Sequence, residues 1–140
     1  MHTPLERTTQ INAAVSGLLA LFDDVDALYV FGSVAEGSDG AGSDIDLALL
    51  CSAPIDPLRR FEAQRELSVQ LRRDVDLIDL MRASTVLREQ IIEKGKLIHV
   101  RHADKVLDFE GRALTDYAEL MDATRELREA VRRDGIAYAP

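Results

Sequence analysis

The segment FGSVAEGSDGAGSDIDLALL, residues 31–50, decides the reading of this chain, because a glycine- and serine-rich stretch runs directly into an apolar strand that carries Asp44 and Asp46. Flexibility accounts for glycine and serine in a loop. It does not account for two carboxylates two positions apart on a strand. Side chains alternate across a strand, so Asp44 and Asp46 share one face, with Ala48 and Leu50 following them. Carboxylates this close repel each other and lose water, at a cost on the order of several kcal/mol unless a cation lies between them. Hard oxygen ligands favour magnesium, with manganese as the alternative.

Working outward, ALYVF (Ala27–Phe31) is short, apolar and rich in branched or aromatic residues, and it stops at Gly32, as a buried strand does. Asp44 to Cys51 is a second strand. Pro54 and Pro57 then punctuate, and Leu58, Phe61, Leu67 and Leu71 recur at near-helical spacing up to Arg72 and Arg73. DVDLIDL (Asp74–Leu80) is the third strand. A crossover containing a full helix returns the chain parallel to where it began, so the starts of the second and third strands align. That alignment brings a third carboxylate to the first two. Asp76, embedded between Val75 and Leu77, is the choice and Asp74 the alternative, while Asp79 faces the other way.

Gly32 and Ser33 sit where the first strand ends and the chain turns, through one helical turn at Val34 to Glu36. Glycine lets a phosphate approach the backbone, and N–H groups at such a turn, with a serine hydroxyl beside them, form a nest for a polyphosphate tail. Gly32, Ser33 and Ser43 are therefore the nucleotide-binding candidates. A loop facing an anion beside carboxylates holding cations is satisfied by one ligand, a metal-bound nucleoside triphosphate.

The flanking segments complete a mixed α/β pattern. Ile11, Val15, Leu18, Leu19 and Phe22 mark a first helix between Leu5 and Phe22 with one buried stripe. Thr85 to Lys94 is a short helix capped at Ser84 or Thr85 and ended by Gly95, followed by a strand from Lys96 to Val100. From Ala103 to about Arg133 the chain has no proline and only Gly111 as a weak breaker, which predicts one long helix. Along it Ala113, Tyr117, Leu120, Thr124, Leu127 and Val131 form a seam that packs lengthwise either on its own domain or on a partner. With no repeat or linker, residues 1–140 are expected to form one α/β domain, with a core over about residues 10–100.

Composition narrows the function. The 140 residues are 46% apolar and 30% charged, enough for a core without staples. A formal net charge of −8 argues against a protein that holds DNA or RNA by neutralising phosphates. No basic leader precedes an apolar stretch and no apolar run spans a bilayer, which predicts neither secretion nor membrane insertion. Cys51 is alone, which excludes a disulfide framework, suits a reducing cytoplasm and reads as a small buried hydrophobe. His2, His99 and His102 show no ligand spacing and receive no role.

GS, ten residues, then DID, followed by an acidic third strand, resembles the signature of the DNA polymerase beta-like nucleotidyltransferase superfamily, in its minimal nucleotidyltransferase branch. The resemblance covers residues 10 to about 100 and extends to the acidic, tyrosine-bearing final helix. It implies a palm-like mixed sheet of about four strands backed by helices, two divalent ions held by Asp44, Asp46 and Asp76, and a triphosphate gripped at Gly32 and Ser33. It also implies transfer of AMP from ATP to a hydroxyl. In that branch the acceptor is often a tyrosine on a small helical HEPN-type toxin, for which the nucleotidyltransferase is the antitoxin. Two alternatives stand beside it: a non-catalytic antitoxin that neutralises by contact, and an adenylyltransferase for a small molecule whose pocket a second copy of the chain completes, as a homo-oligomer. One departure is visible. Many relatives carry a basic residue where this chain has Glu36, so help in neutralising the triphosphate comes from elsewhere, with Arg72, Arg73, Lys94 and Lys96 as candidates against the simpler reading of each as a solvated charge.

Overall fold

The most buried strand, β1 (Val25–Phe31), has six consecutive buried positions, as expected of a central strand covered on both faces. It pairs antiparallel with β2 (Ile45–Cys51) on one side and with β4 (Lys96–Val100) on the other, and β2 pairs parallel with β3 (Val75–Asp79). The computed structural model describes residues 3–37 and 44–135. Its sheet has the order β3-β2-β1-β4: the β2–β3 pair is parallel, as the crossover argument expected, and the mixed four-stranded sheet is the one the family resemblance implied.

Among the described residues five helices complete the architecture: α1 (Pro4–Leu21), α2 (Gly32–Glu36), α3 (Pro57–Leu71), α4 (Thr85–Lys94) and α5 (Ala103–Asp134). Alternation divides the strand residues between two apolar layers. Leu28, Val30, Leu47, Leu49 and Leu77 pack under Ala14 and Leu18 of α1 and Ala63 and Leu67 of α3. Ala27, Tyr29, Ala48 and Leu50 pack on the other face with Ile91 of α4 and Val106 of α5. The bounds of α4 and β4 are those read from the sequence, because Ser84 caps the helix by accepting from Leu87 N and Gly95 ends it. β1 starts two residues earlier than the apolar run suggested, at Val25, and β2 starts at Ile45, leaving Asp44 just ahead of the ladder.

One edge of the sheet is closed in an unusual way. Among the described residues no strand lies beyond β3, yet Val75 N donates to Ser68 Oγ at 3.0 Å and Leu77 N to Gln64 Oε1 at 2.9 Å. Arg60 Nη1 donates in turn to Leu77 O at 3.0 Å. Residues 60, 64 and 68 recur every four positions on one face of α3, so the helix presents a row of polar side chains to the strand's outer edge.

The long final helix has 32 residues and is about 48 Å in length. Val106 and Ala113 are its only buried residues, and Phe109 packs between them. Beyond Ala113 the seam is only partly covered by the described residues: Tyr117, Thr124 and Val131 are half-buried, while Leu120 is 40% and Leu127 48% exposed.

Candidate active site

The sheet's register assembles the site at one end. Phe31, the last residue of β1, lies opposite Asp46, and Asp46 lies beside Asp76 on the parallel neighbour. Gly32 follows Phe31 with φ 68°, in the left-handed region that favours glycine. A Cβ there would collide with Asp46 Oδ2, so the turn and the carboxylate are in direct contact only because residue 32 has no side chain. Asp44, exposed, immediately precedes β2. Asp44, Asp46 and Asp76 thus share the face that α4 and α5 cover further along, at its open end. Ile45 N donates to Asp74 O, which keeps Asp74 beside the same cluster.

The electrostatics of the cluster are those of unneutralised like charges. Burial raises the Asp46 pKa above its ordinary value, and the carboxylates of Asp76 and then Asp44 raise it further. Asp76, not Asp74, is the register partner of Asp46 on the neighbouring strand. Among the described residues, no donor or cation bonds to the side-chain oxygens of Asp44, Asp46 or Asp76. Nor does any group of three or more His, Cys, Asp or Glu side chains there close to metal-binding spacing. The carboxylates are in register and within electrostatic reach without being drawn into a cage, as mutual repulsion dictates. As hard oxygen donors held on adjacent strands they fit a divalent ion of the magnesium type, around which they would converge.

The other sequence candidates divide clearly. Ser33 lies in α2, half-buried, next to Gly32, whereas Ser43 falls outside the described residues. Lys96 is the register partner of Val30, which puts it at the same end of the sheet, directly after Lys94 and Gly95. Arg73 corrects the expectation of a solvated charge: it is 8% exposed, and its Nη1 donates to Gln10 Oε1 of α1. Arg72 caps α3 in the left-handed region and is exposed. His102 does have an acidic partner, Asp26, whose Oδ1 lies 2.9 Å from its Nδ1, but at the other end of the sheet. The Cys51 thiol is buried and pushed up to about 12, first by that burial and then by Asp24, Asp79 and Asp26, so it is inert.

One residue was missed altogether. Arg7 of α1 donates from Nη2 to Gly37 O at 3.0 Å, which fixes a guanidinium to the exit of α2. No local pattern signals it, because the partners are 30 positions apart. A cavity of about 450 Å³ lies elsewhere, at the far end of β2 between α4 and α5, lined by Leu50, Met81, Arg88, Phe109 and Arg112 among others. Most of its charged groups are engaged with each other or with backbone carbonyls: Arg112 pairs with Asp108, Lys105 with Asp26, and Arg88 donates to Leu80 O and Met81 O.

Comparison with known proteins identifies the family and the fold. The family described as Polymerase beta, Nucleotidyltransferase matches residues 14–104. The protein adenylyltransferase MntA of Shewanella oneidensis is 34% identical over 112 residues, covering 80% of each chain. Among solved structures, a toxin–antitoxin with AMP-PNP superposes with a TM-score of 0.77 at 31% identity, covering 86% of this chain and 97% of that one. A tri-AMPylated Shewanella oneidensis HEPN toxin in complex with MNT antitoxin gives a TM-score of 0.75 at 28% identity, covering 90% and 98%.

Proposed function

The chain belongs to the polymerase beta nucleotidyltransferase family, and on that premise we propose that it transfers AMP from ATP to a tyrosine hydroxyl of a HEPN-type toxin, as the antitoxin of the pair. The observation that carries this reading is the trio Asp44, Asp46 and Asp76, held side by side and unpaired next to a glycine turn. Unpaired carboxylates cost stability, and an arrangement retained against that cost points to a task.

In the reaction the acceptor oxygen bonds to the α-phosphorus, the bond from that phosphorus to the β-phosphate oxygen breaks, and pyrophosphate leaves. Gly32 and Ser33 bind the departing end: the turn lets phosphate oxygens reach backbone N–H groups, and the Ser33 hydroxyl donates beside them. Asp44, Asp46 and Asp76 would hold magnesium, which when bound acidifies the attacking hydroxyl and neutralises charge on the phosphates. We read the acceptor as bringing its own shape to the carboxylate end of the sheet. A docked toxin does that, and docking raises the effective concentration of its hydroxyl at phosphorus. Added AMP then places charge and bulk on the toxin's surface.

No helix among the described residues is long and apolar enough to cross a membrane, and the buried, lone Cys51 suits a reducing cytoplasm, where we place the pair. Intact mass spectrometry of the toxin after incubation with this protein, ATP and magnesium should show added AMP units. Asp44→Asn with Asp46→Asn should show none.

The exposed seam of α5 favours a second reading, neutralisation by contact. Leu120→Asp with Leu127→Asp should abolish copurification with the toxin while the isolated chain keeps its melting temperature. A toxin that is inhibited yet carries no AMP would decide for contact alone.

A further inference from the structure

We propose that Arg7 is the cation that meets the triphosphate at the glycine turn, an inference that rests on the reading of this chain as an ATP-dependent nucleotidyltransferase. The tail of ATP brings several negative charges to a segment that offers none of its own to oppose them. α2 contains no basic residue, and Glu36 adds an acid at its end. The carboxylates on the neighbouring strands add more negative charge. Backbone N–H groups contribute only partial charges. A full positive charge has to arrive from another element.

Arg7 is placed to supply it. α2 is five residues long, so roughly 8 Å of helix axis separates Gly32 from Gly37, a span a phosphate tail leaving Ser33 can cover. At the far end of that span the Arg7 guanidinium donates from Nη2 to Gly37 O at 3.0 Å. Both sides of this contact are anchored. α1 is started by a reciprocal box in which Thr3 Oγ1 accepts from Glu6 N and Glu6 Oε2 accepts from Thr3 N. Gly37 adopts φ 74° and its N–H bonds back to Ser33 O and Val34 O. Arg7 is half-buried, which weakens screening of its charge by salt. A guanidinium carries five N–H donors around a plane, so the bond to Gly37 O engages only part of what it offers.

The other cations at this end are less suited. Arg73 is buried and directed at Gln10 on α1. For Lys94 and Lys96, no hydrogen bond or ion pair among the described residues fixes the side chain against the turn. Among the described residues, Arg7 bonds directly to the exit of α2, at the residue that follows Glu36 in sequence.

The test is nucleotide binding by the full chain, measured by calorimetry with magnesium, using ATP and AMP in parallel. Arg7→Met should weaken ATP binding ten- to thirtyfold and leave AMP, which lacks the β- and γ-phosphates, within about twofold of the parent. Arg7→Lys, which keeps the charge, should stay within about fivefold for ATP and guards against a variant that fails to fold. Adding Glu36→Arg to Arg7→Met should restore ATP affinity to within about threefold of the parent. Equal loss of ATP and AMP, or failure of the double variant to recover, would make Arg7 a prop for the turn and overturn the proposal. Unchanged ATP affinity in Arg7→Met would overturn it directly. A parent chain that binds no ATP would instead remove the nucleotidyltransferase reading beneath it.

Discussion

The two ends of the sheet treat aspartate in opposite ways. At the far end Asp26 is buried and bonded to His102, with Lys105 Nζ 3.8 Å away. Asp79, equally buried, accepts from Ile55 N at 2.7 Å and Met81 N at 3.0 Å. Asp24 accepts from Ser52 Oγ at 2.9 Å. At the near end Asp44, Asp46 and Asp76 are left to repel one another, and Asp46 is pushed up in pKa by burial and by the other two. The same residue type therefore serves stability at one end and sacrifices it at the other. Hydrogen-bond inventory, more than cavity size, separates the two: the cavity between α4 and α5 sits at the end where the buried aspartates are bonded.

The contrast can be broken first at the near end. Asp44→Asn with Asp46→Asn should lower AMP transfer at least about a thousandfold, about 4 kcal/mol of transition-state stabilisation, in a continuous pyrophosphate-release assay. Thermal stability should not fall. Gly32→Ala comes next, because a side chain there meets both a left-handed backbone and Asp46 Oδ2. It should cost about 1–2 kcal/mol in denaturant unfolding for the backbone alone and reduce transfer roughly a hundredfold by displacing the carboxylate. At the far end Asp26→Ala should do the reverse, destabilising the fold by about 1–2 kcal/mol through the lost His102 bond while leaving the transfer rate within about twofold. If Asp26→Ala abolished transfer in a folded protein, the division of labour would be wrong.

The smallest effect is the most specific. A carboxyl whose pKa is raised on folding binds its proton more tightly in the native state, so its ionisation subtracts stability as pH rises from the unfolded pKa through the raised native one. Asp46→Asn removes that loss. Without divalent ions it should melt slightly above the parent at neutral pH, and the difference should close as pH falls below the ordinary carboxylate range. A variant that melts lower than the parent at neutral pH would mean that Asp46 is paired after all.

How much of this was readable beforehand depended on whether the signal was local. The α4 and β4 bounds followed from a serine cap and a glycine stop, and the alignment of Asp46 with Asp76 followed from crossover geometry. The carboxylates were legible because alternation is a local rule. Arg7, Arg73 and the His102–Asp26 contact were not, since each joins segments dozens of residues apart through side chains of ordinary helical or loop appearance. Even the start of α1 contained an overlooked local sign, the Thr3–Glu6 box. Ser68 and Gln64 likewise look like plain polar positions on a helix, and nothing in their neighbourhood announces that they bond to β3.

Those two side chains, with Arg60, have a consequence for the life of the protein outside its complex. An open strand edge is a template on which foreign or newly made chains can add strands, the first step toward aggregation. Here one helix of the same molecule occupies the donors of Val75 and the donor and acceptor of Leu77. At the opposite edge, β4 is five residues long, irregular in register and begins with Lys96, features that discourage the same accident. A sheet that cannot grow by recruiting neighbours keeps the free protein dispersed until it meets a partner.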